Sequence, residues 1–260
     1  MGARAVAGSF QQRLDVVLVL LGKELKVRYK NTVLGYAWSI AYPLVFALVF
    51  YFAFKVVARI QIENYALFVV MGLFPWQWFQ NSVTSANGFF LANAPLVKKV
   101  SFPRSLLVLT GVLNDLVHFL ASLPVIVALM LWAGERPTPG WIWKVPLLVA
   151  IQFGVTYGLS LVVATANLFL RDLERLVGLG TLLWLYVTPV LFPWDMVPES
   201  IRWTLWINPM ALVISSWRQT FAAGPLAPGV VAAAAAWSLG LSLLGQAVYR
   251  RFEGRFAELV

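Results

Sequence analysis

Asn93-Ala94-Pro95-Leu96-Val97-Lys98-Lys99-Val100-Ser101-Phe102-Pro103-Arg104 separates two long apolar runs. Proline suits the first turn of a helix and blocks its interior, so Pro95 predicts a start and Pro103 a stop, about two turns apart. Three cations, Lys98, Lys99 and Arg104, lie in or beside that helix. A stretch this short and charged is not a span. It is either a loop held in the cytoplasm by its charge or a docking helix that receives force from a soluble partner.

The remainder belongs in lipid. Of 260 residues, 60% are hydrophobic and 12% charged, far from the balance of a soluble domain. The formal charge of +9 would point to nucleic acid in a soluble protein. Here the cations gather at span ends, where anionic lipid and the positive-inside rule account for them, so nucleic acid is excluded as a partner. With no cysteine there is no disulfide framework or thiolate site. Residues 1–12 carry no apolar core of a signal peptide.

The predicted fold is all-α and integral to the membrane, a single transmembrane domain over 1–260. Residues 10–30 form an interfacial amphipathic helix: Leu14, Val17, Leu18, Leu21 and Leu25 share one face, and Lys23, Lys26 and Lys30 another. Arg28 turns toward the apolar side, where a guanidinium snorkels or meets a phosphate. The basic face is either an electrostatic anchor or a specific lipid-phosphate site. Six spans follow, over 33–54, 65–91, 105–132, 145–170, 176–191 and 227–248, the first long enough to cross a hydrocarbon core of roughly 30 Å. In the first, Trp38, Tyr42, Phe46, Phe50 and Phe54 recur every fourth position, a stripe that drifts about 40° per step. Such rings pack against lipid or protein, or present faces to sugars. Pro75 predicts a kink or break in the second span.

Asn114, Asp115 and His118 are the strongly polar cluster of the third span, and Asp115 and His118 share a face. Intramembrane ionisable groups carry functional weight. Interhelical hydrogen bonding, a pore-lining role and proton chemistry all remain open for them. One histidine and one aspartate are too few for a metal site.

Residues 194–224 are apolar but broken by prolines, and Asn208-Pro209 is a good N-cap and first-turn pair. Two short helices are expected, neither able to span, in a re-entrant or interfacial hairpin. Six lysines and arginines in the N-terminal segment, three in the opening stretch, Arg171 and Arg175, and three in the tail fall on one side of these spans. Both termini are therefore expected in the cytoplasm, with the 194–224 hairpin outside. No P-loop, HExxH, Gly-x-Ser-x-Gly or usefully spaced carboxylate pair is present. The chain is expected to be a transport body rather than an enzyme, with its energy from a partner.

Several stretches, in order, carry a resemblance: Val27-Arg28-Tyr29-Lys30-Asn31-Thr32-Val33-Leu34-Gly35-Tyr36-Ala37-Trp38; Gly72-Leu73-Phe74-Pro75-Trp76; Leu96 to Arg104; Arg171-Asp172-Leu173; Thr188-Pro189; and Asn208-Pro209-Met210. Together they resemble the membrane subunits of ABC-2-type polysaccharide exporters, which export O-antigen, teichoic acid or capsule. The resemblance implies a bacterial inner-membrane homodimer with two copies of a separate ATPase, which would bind ATP and magnesium while this chain binds no cofactor. By the same likeness Leu96, Val97, Lys98, Lys99 and Val100 form the ATPase-coupling helix. Lys23, Lys26, Arg28 and Lys30 mark where a lipid-linked glycan is taken in, and Trp38, Tyr42, Phe46 and Phe50 are channel candidates. The segment containing Trp194, Asp195, Asn208 and Pro209 would narrow the exit, where periplasmic export proteins could join. A drug or small-lipid ABC-2 exporter shares this architecture, and a proton-coupled carrier would lean on Asp115 and His118.

Overall fold

The protein is described by a computed structural model covering residues 10–28, 37–57, 59, 64–99 and 102–259. Every regular element among these residues is helical. In chain order they are α1 (Phe10–Arg28), α2 (Ala37–Phe50) widening into a π-helical end (Tyr51–Val57), α3 (Tyr65–Ala86), α4 (Phe89–Ala92), α5 (Ala94–Lys99), α6 (Ser105–Trp132), α7 (Trp141–Asn167) and α8 (Leu173–Val187). Two 3-10 turns, Trp194–Met196 and Glu199–Leu205, lead to α9 (Pro209–Phe221) and α10 (Pro228–Phe252). A further 3-10 turn, Glu253–Arg255, precedes α11 (Phe256–Leu259). Ser105–Trp132, Trp141–Asn167 and Pro228–Arg255 are long and apolar enough to cross a membrane.

Helix α3 is the central post, packed against α6, α7 and α9. Its inward residues, among them Trp76, Trp78 and Phe79, are fully buried. Of the kink or break expected at Pro75, the break does not occur, and α3 runs through it. The chain turns instead at Asn87-Gly88, dividing the second apolar run. Two bonds satisfy that interruption: Gly88 N–H donates to Ser85 O at 3.1 Å, and Asn167 Nδ2 donates to Asn87 O at 2.8 Å. Carbonyls freed at a helix end need such partners, and here a side chain from α7 provides one.

Helices α7 and α10 approach until their backbones touch. Gly154 and Gly158 lie one turn apart on α7, facing Ser238, Ser242 and Gly245 on α10. A Cβ on Gly158 would strike the Leu241 backbone, and one on Gly245 would strike Gly158. Ser242 Oγ donates to Gly154 O at 3.0 Å across the seam. Small residues spaced by four create this contact, because van der Waals packing replaces the hydrophobic drive that lipid lacks.

The helices sort two groups of loops to opposite ends. At one end α1 meets the segment before α5 through Lys23 and Asn93. The tail meets Arg104 and Ser105, and Phe169 stacks edge-on against Phe252 at 5.1 Å. At the other end the start of α7 grips the end of α9: Trp141 Nε1 donates to Thr220 O at 3.0 Å and Lys144 Nζ to Gly224 O at 2.8 Å.

Candidate functional site

Two constellations stand out, one at each end. The first is built around α5. Asn93 ends the α4 turn, and its carbonyl accepts from Leu96 N at 2.9 Å and Val97 N at 3.0 Å, which starts the helix around Pro95. Its side chain is used twice: Nδ2 donates to Phe89 O at 3.0 Å, and Oδ1 accepts from Lys23 Nζ at 3.2 Å. Val97 is buried, Leu96 half-buried, and Lys98 exposed. The helix therefore seats one apolar edge on the body and offers a cation outward. The backbone of Lys99 completes α5, while Val100 lies outside the described residues.

Lys23 and Lys26 are exposed on α1, and Arg28 forms its last residue. Lys30 lies outside the described residues. Lys23 thus connects the basic face of α1 to the α5 segment rather than standing apart from it. In α2, Trp38 is exposed, and Tyr42, Phe46 and Phe50 follow it along the helix backbone.

The second constellation is at the opposite end, where three stretches far apart in sequence converge. Asn208 caps α9 as its spacing predicts, its Oδ1 accepting from Met210 N at 3.1 Å and Ala211 N at 3.2 Å. The same oxygen accepts from Trp184 Nε1 at 2.9 Å, and Nδ2 donates to Thr188 Oγ1 at 3.0 Å. Pro189 holds Thr188 in extended backbone and so ends α8. Pro209 is buried at the first turn of α9.

Arg218, one face of α9 farther on, is caged by carbonyls. Nη1 donates to Pro189 O and to Phe192 O (3.2 Å), and Nη2 donates to Val190 O and to Phe68 O (3.4 Å). The guanidinium also lies over the Phe68 ring, 3.6 Å from its centroid, and forms no ion pair among the described residues. A planar fork can satisfy four carbonyls at once where an ammonium cannot. Buried Gln152 ties the same region inward, its Oε1 accepting from Trp217 Nε1 and its Nε2 donating to Pro75 O, both at 2.7 Å. The helical segment expected after Asn208 is present as α9, whereas the one before it is two 3-10 turns with Met196, Ile201 and Trp203 exposed. Trp194 and Asp195 border a cleft of about 290 Å³ with Ser215, Gln219 and Arg218.

Asp115 and His118 are both buried on α6, and Asp115 Oδ2 accepts from Ser82 Oγ of α3 at 2.9 Å. Among the described residues no group of three or more potential metal ligands occurs.

Sequence reading missed Gln152, Trp184 and Arg218. Arg218 left a signal: it shares a helical face with Ala211, Ile214 and Phe221, and a cation on an apolar face demands partners.

The chain matches the ABC-2 type transporter family over residues 15–222. It is 45% identical over 246 residues to an O-antigen export system permease protein RfbA of Klebsiella pneumoniae, covering 95% of each chain. A second Klebsiella pneumoniae protein of that name is 44% identical over the same length and coverage, and one from Myxococcus xanthus is 33% identical over 223 residues, 84% of each chain. With a family match spanning most of its length and apolar helices of membrane-crossing dimensions, this chain belongs to the ABC-2 type transporter family of multi-pass membrane proteins.

Proposed function

We propose that this chain is the permease subunit of an ATP-driven exporter that moves a lipid-linked O-antigen-type polysaccharide across the bacterial inner membrane. The supporting observation is identity of 45% to an O-antigen export permease along 95% of both chains. The body works as a homodimer with two copies of a cytoplasmic ATPase, and six spans surround the path.

The geometry fits those roles. Cation-rich α1, α5 and the tail share one end, as the positive-inside rule requires of a cytoplasmic face. There α5 offers Lys98 to the ATPase, and the Lys23, Lys26, Arg28 and Lys30 face attracts the lipid phosphate. ATP-driven closure of the partner dimer shifts α5, and a passage opens between the two protomers. Trp38, Tyr42, Phe46 and Phe50 are the candidates to meet the glycan, since stacking depends on ring faces and tolerates many sugars. The re-entrant segment from Trp194 through Asn208 and Pro209 forms the outer constriction, to which periplasmic export proteins attach.

The test is complementation. In a strain with a deleted O-antigen export permease, this chain supplied with its own ATPase is expected to restore surface O-antigen, detected by immunoblot of whole cells. Normal membrane levels with no surface glycan, alongside export of a small lipid or drug, would replace the polysaccharide reading with the narrower-substrate one.

A further inference from the structure

The C-terminal tail grips the α5 segment on both flanks. On the leading side, Phe256 is fully buried, its ring centroid 4.8 Å from that of Phe90 in α4 and 5.6 Å from that of Tyr249 in α10. On the trailing side, Arg104 Nη1 donates to Glu253 O at 2.8 Å, and Ser105 N–H donates to Tyr249 Oη at 3.2 Å. Helix α11 packs directly against α5. Residues 249–256 therefore bridge the chain just before and just after α5, and they do so from the end of α10.

That arrangement has a mechanical meaning. A helix as short as α5 cannot hold its own orientation, because its stability comes from what it packs on. Val97 gives it one buried anchor, and Lys23 a second, polar one. The tail adds the link that continues into a long element. From α10 a push passes to α7 through the glycine seam, where Gly245 meets Gly158 with no side chain between to absorb it. Close-packed interiors transmit displacement of this kind because they have few voids to take it up.

We infer that Phe256 is a positioning residue for transport: it locks the tail to α4 and α5, so that movement of α5 is delivered to α10 and α7. The inference rests on the reading of α5 as the ATPase-docking helix. Loss of the Phe256 ring leaves α5 able to seat in the ATPase but slack against the last span. Hydrolysis then continues while export falls.

The experiment compares the parent chain, Phe256→Ala and Phe256→Leu, each purified with its ATPase and each scored for surface O-antigen in the complemented strain. Phe256→Ala is expected to keep the parent's subunit ratio and ATP hydrolysis per complex while export drops about two- to thirtyfold, the range for mutations along a coupling route. Phe256→Leu, which refills the apolar site, restores export. Parental export from Phe256→Ala, or joint loss of ATPase subunit, hydrolysis and export, overturns the inference. If Phe256→Ala does not accumulate, Arg104→Gln decides: the same split between hydrolysis and export supports the link, and unchanged export refutes it. A parent chain that copurifies with no ATPase refutes the docking reading itself, and is distinguishable because it shows before any variant is made.

Discussion

Nη2 of Arg218 lies 2.9 Å from the point where a Cβ on Gly72 would stand, and Val190 O lies 3.3 Å from that point. Glycine in the Gly72-Leu73-Phe74-Pro75-Trp76 stretch is thus the space into which the caged guanidinium fits. Gly72→Ala is expected to displace the fork and cost about 1–3 kcal/mol, the usual penalty of overpacking. Thermal unfolding of Gly72→Ala, Arg218→Lys and the double variant in detergent checks this. Because the two residues share one space, the double variant is expected to lose less than the two single losses combined.

Asn208 serves as helix cap and as the joint between α8 and α9. Asn208→Ala removes a cap worth about 1 kcal/mol and leaves Trp184 Nε1 without its acceptor, at about 1–3 kcal/mol more. Asn208→Asp keeps the accepting oxygen but loses the donation to Thr188, so its melting temperature is expected between those of the parent and Asn208→Ala.

Gly158 and Gly245 hold α7 and α10 in backbone contact. Gly158→Val places two methyl groups where the Leu241 backbone runs. The expected result is a protein that inserts in the membrane but is cleaved far faster by added protease, and Gly178→Val is the control, since a Cβ there meets nothing within 4 Å.

Lys98 is exposed on α5, and Lys99 follows it along the same helix. Reversing both to glutamate is expected to abolish copurification of the ATPase and surface O-antigen while leaving membrane levels unchanged. Like charge placed across a docking surface costs several kcal/mol, enough to empty the site. Persistence of the ATPase at parental ratio would remove α5 from the docking role.

The all-helical membrane fold was legible from composition and apolar runs, because lipid leaves the backbone no alternative but to satisfy itself within helices. The α5 segment and the cap at Asn208 were legible too, since each depends on residues within a few positions of one another; the fifth span, drawn through Pro189 to Leu191, instead stops at Val187. Pro75 shows the limit of local reading. Its ring removes one backbone donor, yet packing against α7 and α9, with Gln152 on its carbonyl, keeps α3 unbroken there, and the chain turns at Asn87-Gly88 instead.

The helical segments and the cap at Asn208 thus followed from residues close together in sequence. Which distant polar groups meet was settled by helix packing. The carbonyl cage of Arg218, the Gln152 bridge, the Lys23 to Asn93 bond and the Phe256 clamp each join residues 26 or more positions apart. Hydrogen bonds and ring contacts act over a few ångströms and carry no periodicity along the chain. Their partners become readable once the helices have packed and brought them within reach.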